Sequence, residues 1–156
     1  MKTLIGIKAG SREKTAEFLS AILADEFILY TKTRNAHWNV EGADFHAMHL
    51  FFESQYTELE TVIDEVAERI RQIGHYAPAT LKEYLALTHL TEARKGGNDS
   101  LSFIKDLLND HDTIIKHIRE NINTIEEELD FGTSDFVTGI MMLHEKQAWM
   151  LRAHIK

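Results

Sequence analysis

Five residues of this chain, His37, His49, Glu53, Asp64 and Glu68, have the side chains and the spacing to bind a metal. Imidazole and carboxylate together suit divalent first-row ions such as iron, which accept nitrogen and hard oxygen donors. If the residues from His49 onward are helical, about 100° of turn per residue puts Glu53 roughly 40° from His49, Asp64 roughly 60° and Glu68 roughly 100°. They share a face. They cannot share an ion, because at about 1.5 Å per residue Glu53 and Asp64 stand roughly 16 Å apart, against metal–ligand bonds of about 2 Å. Either the stripe is two unrelated half-sites, or a second copy running antiparallel brings its Asp64 and Glu68 to this copy's His49 and Glu53. A two-fold interface pairs one surface with itself and yields two equivalent composite sites, so the geometry predicts a metal site between subunits.

Long helices must position these groups, and the composition allows them. The 156 residues fit a single domain spanning 1–156, with 44% hydrophobic and 27% charged residues, one proline and eight glycines. A net charge of −8 favours cations over nucleic acid, and the absence of cysteine excludes disulfides and thiolate ligands. The apolar start, Met1 to Ile7, is too short for a signal peptide and no 18-residue apolar run occurs, so no membrane span is expected and the default compartment is cytoplasmic.

Ser11 is placed to cap a first helix running past Phe18, Ile22, Leu23, Leu29 and Tyr30 towards Trp38. Gly42 permits a tight connection, and a second helix opens around Ala43 with a four-three seam of Phe52, Tyr56, Leu59, Ile63, Val66, Ile70 and Ile73, stopping at Gly74. Thr80 and Glu83 have capping-box spacing for a short helix between Pro78 and Leu87. After Gly96-Gly97-Asn98 the seam resumes through Leu101, Ile104, Leu108, Ile115, Ile118, Ile122 and Ile125, with His111 in the gap. Gly132-Thr133 is expected to end the acidic turn and cap a last helix with Phe136, Ile140, Leu143 and Met150 inward. The fold class is therefore all-α: a four-helix bundle with a short extra helix in the crossover between the second and third long helices.

Acidic residues beside an apolar seam are ordinarily a solvated helix edge, which is the bland account of Glu53, Glu60, Asp64 and Glu68. Two features favour the metal. His49 occupies a seam position three residues before Phe52, and a hairpin at Gly42 swings His37 back towards it. The segment His37-Trp38-Asn39-Val40-Glu41-Gly42, then His49 and Glu53, then Asp64-Glu65-Val66-Ala67-Glu68-Arg69, closely resembles the Dps family of ferritin-like miniferritins. The resemblance is specific through Gly74, and the helix layout agrees over the whole chain. It implies a ferroxidase: a hollow dodecamer built from two-fold dimers that oxidises Fe(II), preferably with hydrogen peroxide rather than oxygen. The ferric product is stored as mineral, limiting oxidative damage. Each inter-subunit site would hold one or two irons, with His37, His49 and Glu53 from one subunit and Asp64 and Glu68 from the other. Many members carry Asp where this chain has Glu53.

The same resemblance puts Trp38 beside the site as a sacrificial electron donor, against the plainer role of core packing. His46 is a possible accessory ligand, although a surface or interface histidine is the simpler account, and His111 reads as a satisfied seam histidine. The remaining histidines, His144 among them, carry no readable motif. By resemblance Asp135 lines an acidic iron-uptake pore, joined by Glu126 and Asp130; a solvated turn is the bland account. DNA binding is expected to be weak, since only Lys2, Lys8, Arg12 and Lys14 precede or open the first helix on an acidic protein. A non-enzymatic DNA-compacting or structural stress shell is the alternative. A conventional ferritin centre inside each bundle needs Glu-x-x-His pairs, which the sequence lacks, and a hemerythrin-like site needs more inward histidines on several helices, of which the sequence offers none in recognisable positions.

Overall fold

The computed structural model describes residues 3–155. Its helices are α1 (Ala9–Asn39), α2 (Phe45–Gln72), the short α3 (Leu81–Leu87), α4 (Ser100–Glu127) and α5 (Phe131–Arg152). α1 packs on α2, α3 and α4, and α5 packs on α4, so four long helices form the bundle and α3 rides in the α2–α4 crossover. Among the described residues no helix is long and apolar enough to cross a membrane.

The helix ends show which local signals decide. α3 begins with the expected capping box: Thr80 Oγ1 accepts from the Glu83 N–H, and the Glu83 carboxylate accepts from the Thr80 N–H. Gly74 follows α2 with φ of +95°, and a Cβ there would collide with Thr3 and Arg12, so glycine is required. Two expected caps are corrected. Ser11 lies inside α1, buried, donating from its hydroxyl to Glu128 at 2.5 Å; the cap position is Lys8, with no side-chain cap. α5 is capped by Asp130, not Gly132-Thr133: Asp130 Oδ1 accepts from the Thr133 N–H at 3.1 Å, and Leu129 before it takes a left-handed φ of 61°.

The α2 seam is buried as expected, with Ile63 half-exposed, and Phe52 meets Phe103 of α4 edge-on at 6.1 Å. In α4 the buried line runs through Phe103, Ile104, Leu107, Ile114 and Ile118, while Leu101 is exposed and Leu108, Ile115 and Ile122 are only partly covered. α5 likewise buries Val137, Ile140, Ala148 and Leu151 ahead of Phe136, Leu143 and Met150. Ile104, Ile118, Ile125 and Ile140 are buried as expected and His111 lies inward in its seam position, while Asp110 in α4 and His144 and Gln147 in α5 are buried as well, which widens the inward face of both helices beyond the apolar seam.

Candidate metal centre

The tight Val40–Asp44 connection folds the end of α1 against the start of α2. Gly42 takes φ of +128°, and the Glu41 N–H donates to the Asn98 carbonyl at 2.9 Å, pinning the turn to the segment before α4. His37 and His49 then lock each other. The His37 Nδ1–H donates to the His49 carbonyl at 2.8 Å, and the His49 Nδ1–H donates to the His37 carbonyl at 2.7 Å. A carbonyl can only accept, so both rings carry their proton on Nδ1 and both Nε2 atoms keep a free lone pair. The rings stack with centroids 3.8 Å apart and a 22° tilt, flanked by Tyr56 edge-on to His37 and by Phe45 beside His49. This is how a metal-ligating imidazole pair is oriented, with its second nitrogen tied down.

Glu53 lies one turn beyond His49, exposed, with one oxygen 3.5 Å from the Tyr56 hydroxyl. Asp64 and Glu68 are exposed further along α2. Asp64 lines a groove with Thr57, Glu60, Thr61 and Tyr84, and Glu68 borders a cleft with Arg69 and Phe136. The protomer thus brings His37, His49 and Glu53 to one end of α2 and leaves Asp64 and Glu68 at a distance. Among the described residues no three His, Asp or Glu side chains surround a common point for a metal. Trp38 is 65% exposed, so core packing is not its role within the protomer, and the Arg34 guanidinium sits 5.8 Å over its ring. His46 is exposed.

The pore candidates separate. Asp135 is exposed at the start of α5, and Glu126 is exposed while accepting from the Ser134 hydroxyl at 2.9 Å. Asp130 is buried, bonded to Thr133 and paired with Arg69 at 3.1 Å, so its carboxylate is already engaged.

The interior holds groups that the sequence reading missed. Inward histidines do exist. His111 Nδ1 meets His144 Nδ1 at 2.8 Å, and His144 Nε2 meets the Glu26 carboxylate at 2.6 Å, all three fully buried. His111 is not fully satisfied, since its Nε2 has no partner; burial, then the His144 charge, hold its pKa well below the ordinary imidazole range. Asp110 pairs with the buried Lys32, yet its pKa is pushed up to about 6 because desolvation outweighs that attraction. His111 alone had a readable signal, its place in the α4 seam; the others are paired across helices and carry no local one.

A ferritin-like domain model matches residues 16–156. The "DNA protection during starvation protein 2" of Bacillus anthracis is 37% identical over 92% of this chain and 97% of its own length. The chain belongs to the Dps family of ferritin-like proteins. An uncharacterised low temperature-induced protein of Nostoc is 35% identical over 97% of this chain and 86% of its own length. The crystal structure of a Vibrio cholerae Dps protein, described as a member of a broad superfamily of ferritin-like diiron-carboxylate proteins, superposes with a TM-score of 0.93 at 31% identity. That match covers 98% of this chain and 96% of that one. Family membership accounts for the four-helix architecture, for the helix in the crossover and for iron as the expected metal of the family.

Proposed function

We propose that this chain is a ferroxidase and iron store whose oxidation sites form between subunits. The carrying observation is the reciprocal His37–His49 lock, which leaves two imidazole Nε2 lone pairs free, with Glu53 one helical turn beyond His49 on α2. That is half of a mixed imidazole–carboxylate ligand set. On a two-fold interface, the antiparallel α2 of a neighbour supplies its Asp64 and Glu68 as the other half. Exposure of these two carboxylates in the isolated protomer supports this, because they stand ready for a partner.

Fe(II) is the substrate. The histidines hold it in the ferrous state, while three carboxylates per composite site favour the ferric product by supplying hard oxygen donors. Hydrogen peroxide, the preferred oxidant in this reading, accepts one electron from each of two ferrous ions as its O–O bond breaks, giving two hydroxides and two ferric ions. Tyr56 packs edge-on against His37, and Phe45 lies beside His49. Mineral accumulates in a dodecameric shell, iron enters past a ring containing Asp135 with help from Glu126, and Trp38 donates an electron to excess oxidant. Asp130 contributes to that ring only through the turn it caps.

DNA binding is weak in this reading. Arg12 and Lys14 lie within α1, where Arg12 donates to the Ile73 carbonyl and Lys14 pairs with Glu128, so neither belongs to a free basic tail. Lys2 and Lys156 lie outside the described residues. The protein acts in the cytoplasm. The test is iron-dependent peroxide consumption by wild type and Asp64→Ala, with assembly measured by size. The variant is expected to assemble and lose most turnover; normal turnover in an assembled variant refutes the site, and a wild type that assembles without consuming peroxide favours a structural shell.

A further inference from the structure

We propose that Glu26, His144 and His111 form an acid-sensitive latch, which ties three of the four long helices together at neutral pH and releases them as the pH falls. Each side chain comes from a different helix, Glu26 from α1, His111 from α4 and His144 from α5, and all three are fully buried. His144 stands between the others. Its Nε2 lies 2.6 Å from Glu26 Oε1, and its Nδ1 lies 2.8 Å from His111 Nδ1. The chain ends blind on both sides, because Glu26 Oε2 and His111 Nε2 are buried without a hydrogen-bond partner. None of the three belongs to the centre around His37 and His49.

These two contacts admit a fixed number of protons. A carboxylate only accepts, so His144 Nε2 carries a hydrogen and donates it to Glu26. The two Nδ1 atoms, 2.8 Å apart, share one hydrogen and have no room for two. Among the described residues His144 is the only ion-pair partner of Glu26, and an unpaired charge in a core is strongly disfavoured. Neutralising the carboxylate therefore puts the shared hydrogen on His144 as an imidazolium. His111 is left neutral, accepting at Nδ1 and carrying its own hydrogen on Nε2. A further proton goes to the remaining ring lone pair, His111 Nδ1. Two N–H groups on two cations then face each other, and the contact breaks. Glu26 Oε2 is no easier a place, since a proton there strips the imidazolium of its counter-charge. Burial first, then the His144 charge, hold the His111 pKa well below the ordinary imidazole range. α1 and α5 are the main elements packed on α4, and they face His111 with His144 and, behind it, Glu26. Next to His111, Asp110 pairs with Lys32 of α1, with Asp106 and Asp25 acting on that pair. The unfolded chain protonates His111 near the ordinary value of 6.5, so the latch's contribution is complete above that range and is lost as the pH falls below it.

Urea unfolding of the assembled protein between about pH 7 and about pH 5 tests the latch. His111→Asn is the comparison, because its side-chain oxygen still accepts from His144 Nδ1 but takes up no proton. Below about 6.5 the wild-type folding constant is expected to fall about tenfold more per pH unit than that of His111→Asn. Asp110, whose raised pKa of about 6 acts in the opposite sense, is present in both proteins and cancels. Parallel pH profiles overturn the proposal. Hydrogen exchange at the imidazole C2 position, followed on wild type by mass spectrometry, reads the same titration without a variant. His111 is expected to stay neutral wherever light scattering shows the assembly intact, and a protonated His111 in an intact assembly overturns the latch. Neither readout uses iron, so the result stands apart from the ferroxidase assignment.

Discussion

Replacing His144 by alanine should cost far more stability than replacing Glu26 by glutamine, although the two side chains share one hydrogen bond. Both are fully buried, their contact is 2.6 Å, and the second Glu26 oxygen has no hydrogen-bond partner. His144→Ala strands a carboxylate in the core and also removes the bond to His111, a situation that typically costs about 3–5 kcal/mol. Glu26→Gln removes the charge and leaves a carbonyl oxygen that still accepts from His144 Nε2, so it should cost no more than about 1–1.5 kcal/mol. At about 2–4 °C per kcal/mol for a chain of this size, the melting points should fall by about 6–20 °C for His144→Ala and by about 2–6 °C for Glu26→Gln. The double variant should be more stable than His144→Ala alone, because no charge is left to strand. Calorimetry at matched protein concentration measures all three variants. Equal losses for the two single variants, or an additive double variant, would refute the reasoning.

Asp110 supplies a pH test. Its folded pKa of about 6 lies above the ordinary aspartate value of 3.8, so its stabilising contribution is complete at low pH and is lost as the pH rises through about 6. Against Asp110→Asn, whose side chain does not titrate, wild type should lose on the order of 2–3 kcal/mol between pH 4 and pH 7, read from denaturant midpoints. The two acids of the α4–α5 turn should behave oppositely. Asp135→Ala should slow iron uptake while changing stability by less than about 0.5 kcal/mol, whereas Asp130→Ala should cost about 2 kcal/mol through the lost cap and Arg69 pair. Initial uptake rates and melting curves separate them. Trp38→Ala should leave peroxide consumption at low oxidant intact and increase oxidation of other residues under excess peroxide, read by mass spectrometry.

The architecture was legible where sequence signals are local. Gly42 and Gly74 sit at left-handed turns, Thr80 and Glu83 close their capping box, and the α2 seam is the buried face. The buried polar groups of α4 and α5 were less so, because an apolar count treats Asp110, His144 and Gln147 as outward residues, while in the bundle Asp110 pairs with Lys32, His144 with His111 and Glu26, and Gln147 with Glu58. Such pairings join residues as far apart as Glu26 and His144, and no spacing rule reaches across 118 positions. On the candidate site, His37 and His49 were readable as a pair through the hairpin between them, and their mutual hydrogen bonds appear only once the turn is built. Asp64 and Glu68 were readable as a stripe whose length exceeds any single coordination sphere.

Mixed assembly tests the shared site most directly. His49→Ala and Asp64→Ala each disable every composite site in a pure shell. Unfolded and refolded together in equal amounts, they assort at random, and a site is intact only where an Asp64→Ala subunit supplies the histidines and a His49→Ala subunit faces it. That chance is one half times one half, so iron-dependent peroxide consumption should return to about a quarter of the wild-type value. Activity of the co-assembled shell no higher than that of the two pure variants would contradict a site divided between subunits.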